Sequence, residues 1–265
     1  MEYHLLPVNP RLHVEKEGDG PAVVLAHGFA GSARNFGPQA RTLRTRFRVT
    51  RYDARGHARS EAPDAPSAYT PETFTADLER VVEAPTAVVG GLSMGASTAL
   101  RFVLAHPDRV RGLVLAAFPA GASAARGISA QATAFADAIE SEGLEAAGER
   151  FAWGPGSGLD PGAARLVRQG FLEHPPHGLV HTLRGVLAKQ PPVEELAPRL
   201  RALDVPALVI VGERDRASLD PSRALADALP AARLVMVPGA GHVVNLEKPA
   251  AFNAALEGFL HRLEE

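Results

Sequence analysis

Cysteine is absent from the 265 residues of the chain. Its absence excludes disulfide bonds, thiolate metal ligands and a cysteine nucleophile, and it is compatible with a reducing compartment. The net charge is only −2, which gives no electrostatic reason to expect nucleic acid or a membrane surface as a partner. No apolar run approaches the roughly 20 residues that span a bilayer, and no signal peptide is evident. We therefore expect a cytoplasmic protein.

Short apolar runs rich in β-branched residues recur along the chain. They do not alternate strictly between polar and apolar positions, which is typical of strands buried on both faces of a parallel sheet. The runs are 22–27, 47–52, 86–91, 112–117, 207–212 and 233–238. Residues 11–19 alternate more regularly and predict an antiparallel strand at the edge of the sheet.

Helical patterns separate these runs, at 70–84, 93–107 and 248–263. The first begins with Thr70 and Pro71, an N-cap residue followed by proline at the first helical position. Repeated strand–helix units imply right-handed crossovers. The sequence therefore predicts an α/β fold with a doubly wound, mostly parallel sheet.

The alternation of strands and helices stops between residues 119 and 198. This stretch contains helical patterns and joints rich in glycine and proline, but no convincing strand. The simplest interpretation is a helical cap, residues 119–198, inserted into a core formed by residues 1–118 and 199–265.

The pentapeptide Gly91-Leu92-Ser93-Met94-Gly95 lies between a predicted buried strand and a predicted helix. A tight strand-to-helix turn strains the backbone at Ser93 and leaves no room for side chains at the flanking glycines. It lifts the hydroxyl above the sheet edge and places the amide of Met94 at the helix N-terminus, where negative charge is favoured. The context favours a nucleophilic serine over an ordinary helix cap.

A serine nucleophile needs a base, and the base needs an acid to orient it. Asp215 follows the strand at 207–212, and His242 lies in a glycine-rich loop after the last strand. Both should lie at the sheet edge that carries Ser93. Glu213 and Asp220 are the nearest rivals of Asp215 as the acid.

An oxyanion hole would require amide donors close to Ser93. The first core strand is followed by His27-Gly28-Phe29. The amides of Phe29 and Met94 are therefore the predicted pair of donors, with an incidental loop as the alternative for the His-Gly pair.

Six segments together resemble the α/β-hydrolase-fold serine hydrolases along nearly the full chain. They read HGFAGSARNF, RYDARGHARS, GLSMG, HPDRVRGLVLAAFP, VPALVIVGERD and PGAGHVVNLEKP. The chain is most similar to the small bacterial esterase, enol-lactonase and C–C hydrolase group. The resemblance implies Ser93 as nucleophile, Asp215 as acid and His242 as base. Ala58 and Ala96 stand where that family commonly has glycine.

The resemblance also argues against three activities found among the relatives: epoxide hydrolase, haloalkane dehalogenase and menaquinone-pathway synthase. Related epoxide hydrolases and haloalkane dehalogenases carry aspartate at the position of Ser93, and residues 119–198 contain no tyrosine of the kind that epoxide hydrolases use. The related menaquinone-pathway synthase typically has arginine four residues after the serine, where this chain has Ser97. A C–C bond hydrolase acting on ring-cleavage-type diketones and a non-catalytic ligand-binding protein stay open as alternatives.

We predict a serine hydrolase that cleaves an uncharged, moderately apolar ester or lactone through an acyl-enzyme, without metal or organic cofactor. The partner is the small-molecule substrate, and the protein is a monomer or a homodimer. His27 and Trp153 are candidate substrate contacts, although Trp153 fits core packing of the cap equally well.

Two further groups of residues have side chains that could bind a ligand. The spacing of His174, His177 and His181 could bind a metal, but the prolines before His177 and the scarcity of carboxylates favour exposed histidines. Four arginines could hold a substrate carboxylate, although surface positions are favoured for them: Arg55, Arg59, Arg126 and Arg168.

Overall fold

The computed structural model of the chain describes residues 2–6, 10–118 and 122–264. Within these ranges the strands are β1 (Glu2–Leu6), β2 (Leu12–Glu17), β3 (Ala22–Ala26), β4 (Arg48–Tyr52), β5 (Ala87–Leu92), β6 (Val110–Ala116), β7 (Ala207–Gly212) and β8 (Ala232–Val237). The α-helices are α1 (Gly37–Leu43), α2 (Pro71–Val81), α3 (Met94–Ala105), α4 (Ala122–Gly148), α5 (Pro161–Phe171), α6 (Pro176–Gly185), α7 (Val193–Leu200), α8 (Arg216–Ala228), α9 (Val244–Glu247) and α10 (Pro249–Arg262).

All eight strands of the described residues form one sheet, in the order β1-β2-β4-β3-β5-β6-β7-β8. The neighbours from β4 to β8 are parallel, whereas β2 is antiparallel to both β1 and β4. The predicted mostly parallel sheet is therefore confirmed. The prediction that residues 11–19 form an edge strand is wrong, because β1 pairs with the outer side of β2 and becomes the edge.

Helices cover both faces of the sheet. In β3, Val24 and Ala26 belong to a hydrophobic cluster that includes side chains of α2, α3 and α8. Val23 and Leu25 belong to a second cluster with side chains of α1 and α10. Successive residues of a strand point to opposite faces, so β3 is buried on both sides. This explains why its sequence is apolar without alternation, and it confirms the doubly wound fold.

The predicted helices at 70–84, 93–107 and 248–263 are observed as α2, α3 and α10. At the start of α2, the amide of Thr73 donates to the hydroxyl of Thr70 at 3.2 Å, and the amide of Thr70 donates to the hydroxyl of Thr73 at 2.9 Å. These reciprocal bonds satisfy donors that the helix cannot pair. In the described ranges no helix is both long and apolar enough to cross a membrane.

Between β6 and β7 the described chain forms α4, α5, α6 and α7 and no strand; we call residues 122–200 the helical insertion. Its first helix is interrupted at Gly143, where φ is +83°. Aromatic side chains form its interior: the rings of Phe135 and Phe171 stack at 5.6 Å, and those of Phe135 and Phe151 at 4.8 Å. Residues 119–121 of the predicted cap lie outside the described residues.

Candidate active site

Ser93 occupies the turn between β5 and α3 with φ of +53° and ψ of −111°. A positive φ is uncommon for a residue with a side chain and persists only where the surrounding structure holds it. A Cβ atom at either Gly91 or Gly95 would overlap the carbonyl oxygen of Ala26 in β3. Both flanking glycines are therefore needed for the close approach of the turn to β3.

Asp215 and His242 meet beyond the carboxyl ends of β7 and β8. Asp215 is the N-cap residue of α8, and His242 lies in the loop between β8 and α9. The Nδ1 atom of His242 lies 2.8 Å from Oδ2 of the buried Asp215. With the Nδ1 proton donated to the carboxylate, Nε2 is the ring nitrogen that can accept a proton.

Each member of this pair shifts the pKa of the other. Burial alone would raise the pKa of Asp215, but the hydrogen bond and the charge of His242 lower it overall. Burial would lower the pKa of His242, but Asp215 and the carboxylate of Glu247 raise it above its ordinary value. Glu247 also accepts a hydrogen bond from the amide of Gly241, at 3.0 Å. The site therefore favours an ionised acid beside a basic imidazole.

The two rivals of Asp215 lie in different surroundings. The exposed Glu213 accepts a hydrogen bond from the amide of Gly239 at 3.0 Å, and the exposed Asp220 pairs with Arg223 at 3.2 Å. Neither contact involves His242. The geometry thus favours Asp215 as the partner of the imidazole.

The loop after β3 passes close to Ser93. A Cβ atom at Gly28 would lie 3.5 Å from Cβ of Ser93. The carbonyl oxygen of Gly28 accepts hydrogen bonds from Nδ1 of His27 at 2.7 Å and from the amide of Gly31 at 3.0 Å. The C=O and N–H groups of a trans peptide point in opposite directions, so the amide of Phe29 points away from these two donors.

Met94 is the first residue of α3, and its amide belongs to the first turn, whose N–H groups have no acceptor within the helix. The aligned peptide dipoles also place partial positive charge at this helix end. The amide of Ser93 itself donates to the carbonyl oxygen of Ala116 at 2.8 Å. The Met94 amide therefore follows Ser93 at a helix end that favours negative charge, and the role of the Phe29 amide stays a prediction.

A cavity of about 600 Å³ adjoins this turn, and Ser93, Asp215, His242 and Phe29 line it. Such a volume is typical of small-molecule sites. Much of the remaining lining is apolar and comes from the helical insertion: Phe135, Phe151, Leu159, Leu166, Val167 and Leu187. The cavity thus places the hydroxyl of Ser93 and the imidazole of His242 beside space for a small molecule.

His27 does not contact this cavity, contrary to the prediction of a substrate contact. Only 2% of it is exposed, its Nδ1 atom donates to Gly28, and its Nε2 atom accepts from the amide of Ala54 at 2.9 Å. Burial lowers the pKa of His27 to about 4, so the ring is neutral at pH 7. Its two hydrogen bonds connect the loop that carries Phe29 with the backbone at Ala54.

Trp153 packs inside the helical insertion. Its ring lies 5.2 Å from that of Phe171 in an edge-to-face arrangement, within the aromatic cluster described above. The neighbouring Phe151 and Ala152 are the residues that line the cavity. The geometry agrees with core packing, the alternative that the sequence left open for Trp153.

The three histidines of the insertion each contact a backbone carbonyl of a core loop. The Nε2 atoms of His174, His177 and His181 lie 2.8, 3.0 and 3.1 Å from the carbonyl oxygens of Gly31, Ala62 and Asp64. Among the described residues, no group of three or more histidine, aspartate and glutamate side chains could hold a metal ion. The histidines instead join the insertion to the core, and the expectation that they are exposed is wrong for His174, which is buried.

The expectation that the four arginines are surface groups is wrong for Arg55. This residue is 7% exposed, and its guanidinium forms two hydrogen bonds with the buried carboxylate of Asp77, at 2.7 and 2.8 Å. Of the others, Arg59 pairs with Asp53, Arg168 pairs with Glu145, and the side chain of Arg126 lies outside the described part.

Arg34 is a charged cavity residue that the sequence did not indicate. It follows the loop after β3 and pairs with Glu173 of the helical insertion, and both side chains line the cavity. The sequence offers little signal for such a contact, because the two residues are 139 positions apart.

One departure from the family pattern has a visible structural consequence. Ala58 adopts a φ of +43°, a backbone conformation that favours glycine. The loop keeps this conformation although alanine is present, so the departure concerns local strain rather than the cavity.

Comparison with known proteins is consistent with this geometry. Residues 23–255 match the model of the alpha/beta hydrolase family. The chain is 30% identical, across 90% of each chain, to a Bacillus subtilis protein provisionally named 2-succinyl-6-hydroxy-2,4-cyclohexadiene-1-carboxylate synthase. An enol-lactonase structure from Burkholderia xenovorans LB400 is 29% identical, with a TM-score of 0.84 over 98% of this chain and 100% of that one. A thermophilic esterase structure from Thermogutta terrifontis is 27% identical, with a TM-score of 0.86 over the whole of both chains.

Proposed function

This chain belongs to the alpha/beta hydrolase family, and from that premise we propose that it cleaves a carboxylic ester or lactone through Ser93, His242 and Asp215. The observation that supports this most is the 2.8 Å contact between His242 and Asp215, in the same cavity as the strained Ser93 turn. A serine hydroxyl becomes an effective nucleophile when such an oriented imidazole removes its proton.

In the proposed reaction, Nε2 of His242 accepts the hydroxyl proton as Oγ of Ser93 attacks the carbonyl carbon. The amides of Phe29 and Met94 stabilise the resulting oxyanion. The imidazolium then donates its proton to the leaving alkoxide, and the alcohol departs. His242 then takes a proton from a water molecule, which attacks the acyl-enzyme; as the acyl–oxygen bond breaks, the imidazolium returns that proton to Oγ of Ser93 and the acid is released. Asp215 keeps the ring in the required tautomer throughout.

We assign residues 119–198 the role of a cap over a core of residues 1–118 and 199–265. The apolar contribution of the helical insertion to the cavity supports this assignment. In that arrangement the core supplies the reacting groups and the cap determines which acyl or alcohol groups fit.

The Burkholderia structure is described as an enol-lactonase and the Thermogutta structure as an esterase, and both reactions suit the proposed chemistry. The Bacillus relative is named for a carboxylate-bearing compound. Ser97, the position of the synthase arginine, is buried. Among the described lining residues, the one arginine or lysine is Arg34, which already has a carboxylate partner. We therefore propose an uncharged ester or lactone as substrate.

A fluorophosphonate probe, together with short p-nitrophenyl esters and simple lactones, tests the proposal. We expect the wild-type protein to be labelled and to hydrolyse these substrates, and Ser93→Ala to lose both properties. Ser141→Ala removes an exposed hydroxyl from α4 and should retain both. An unlabelled, inactive wild-type protein would refute the proposal. Turnover of a vinylogous 1,5-diketone with negligible ester hydrolysis would replace it with C–C bond cleavage.

A further inference from the structure

Apart from Asp215 and His242, the charged side chains among the described cavity-lining residues are Arg34 and Glu173. Arg34 lies in the short turn before α1, and Glu173 lies between α5 and α6. The two side chains face each other in a two-pronged contact, with Nη1 of Arg34 3.5 Å from Oε1 of Glu173 and Nη2 against Oε2. The core thus contributes the positive charge of this pair, and the helical insertion contributes the negative one.

This pair lies where the cavity meets solvent, since 53% of the Arg34 side chain and 39% of the Glu173 side chain are exposed. Within the described ranges, neither has a second ion-pair partner. Other arginines near the site differ in this respect: Arg59, for example, contacts both Asp53 and Glu15. If Glu173 were neutral, the guanidinium of Arg34 would be a cation without an ion-pair partner beside this cavity.

A guanidinium binds a carboxylate through two parallel hydrogen bonds. Here Glu173 already occupies that position on Arg34. A substrate carboxylate would have to displace Glu173 and would meet its negative charge at the same time. An uncharged ester would meet a pair with no net charge and described lining residues that, apart from Asp215 and His242, are uncharged.

We propose that Glu173 masks Arg34, and that the pair makes the site select uncharged esters or lactones over carboxylate-bearing ones. The inference rests on the proposed hydrolysis and names the residues that determine its charge selectivity. A cavity that differed only in lacking Glu173 would accept the monoesters of dicarboxylic acids.

The test compares p-nitrophenyl butyrate with the p-nitrophenyl monoester of glutaric acid, which carries one carboxylate. We expect Glu173→Gln to raise the ratio of kcat/KM for the anionic over the neutral ester by about three- to fivefold, which is the size of effect that a partly exposed charge pair supports. The neutral ester is the internal reference, so a general change in activity cancels from this ratio. The double variant Arg34→Gln/Glu173→Gln should return the ratio to the wild-type value.

Arg34→Gln provides the reciprocal test, and it carries the proposal if Glu173→Gln does not fold. It leaves Glu173 unpaired and should raise turnover of a p-nitrophenyl ester that bears a trimethylammonium group, relative to the butyrate. Unchanged ratios in both variants, with neutral esters still hydrolysed, would overturn the charge-selectivity proposal alone. A wild-type protein that hydrolyses neither ester and resists the fluorophosphonate would overturn the proposed function and this inference with it.

Discussion

The Nε2 atom of His174, in the helical insertion, lies 2.8 Å from the carbonyl oxygen of Gly31, in the loop that carries Phe29. Its Nδ1 atom lies 2.7 Å from the carbonyl oxygen of Gly170. The contact connects the insertion to the loop whose amide is proposed to stabilise the oxyanion.

Replacing His174 with alanine should therefore lower kcat about tenfold and leave KM within about twofold, because oxyanion stabilisation acts mainly in the transition state. Steady-state kinetics with a p-nitrophenyl ester measures both constants. His181→Ala is the matched control. This histidine also contacts a core carbonyl, but that carbonyl belongs to Asp64 and not to the loop that carries Phe29. Equal losses of kcat in the two variants would show that His174 only attaches the helical insertion to the core.

Asp215→Asn should lower kcat by about 10⁴-fold, because the amide no longer holds the imidazole in the tautomer that accepts a proton at Nε2. Glu213→Gln, at the nearest rival carboxylate, should retain activity within about threefold. Measurement of kcat for the two purified variants decides between the acids. A larger loss in Glu213→Gln than in Asp215→Asn would reverse the assignment.

The pH profile of kcat/KM should rise with pH as His242 loses its proton, since only the neutral imidazole acts as a base. Asp215 and Glu247 raise the pKa of this ring, so the acid limb should have its midpoint above the ordinary histidine value of about 6.5. Glu247→Gln removes a negative charge that stabilises the imidazolium. It should therefore move the midpoint to lower pH, and a midpoint that stays in place or rises would contradict this explanation.

Gly95→Ala should destabilise the fold by about 3 kcal/mol, because the new Cβ would overlap the carbonyl oxygen of Ala26 and neither backbone can move freely. Gly127→Ala is the control, since a Cβ at Gly127 in α4 meets no atom within 4 Å. It should leave stability unchanged or increase it by up to about 1 kcal/mol. Chemical denaturation of both variants measures the difference, and similar values would show that the turn has more room than the structure indicates.

Asp77→Ala should destabilise the protein by about 3–5 kcal/mol, because it leaves the buried guanidinium of Arg55 without its carboxylate. Folded protein should keep its kcat, since Arg55 is buried in the core and does not line the cavity. Arg168→Ala, at an exposed pair with Glu145, should change the free energy of unfolding by less than about 1 kcal/mol. A loss of kcat without a loss of stability in Asp77→Ala would instead indicate a role at the site.

The parallel strands can be predicted from the sequence, and so can the positions of Ser93, Asp215 and His242 after strands. Both depend on residues that are neighbours in the chain. Strands buried on both faces are apolar throughout, and the structure confirms all six apolar runs as strands with shifts of only one or two residues at their ends. The proposed catalytic residues each follow a strand, so their common position at one sheet edge is a consequence of parallel topology. Polar partners that face each other across the cavity leave no such pattern.

Only the tertiary structure shows the contacts of four residues: His27, Arg34, Arg55 and His174. The sequence shows which side chains can donate, accept or carry charge, but burial and neighbours decide which of these capacities remains available. Glu173 meets Arg34 across 139 residues, and His174 meets Gly31 across 143. Both contacts depend on how the helical insertion packs on the core. The chain order therefore indicates how an ester could be cleaved, while the tertiary packing decides which charge the cavity presents to it.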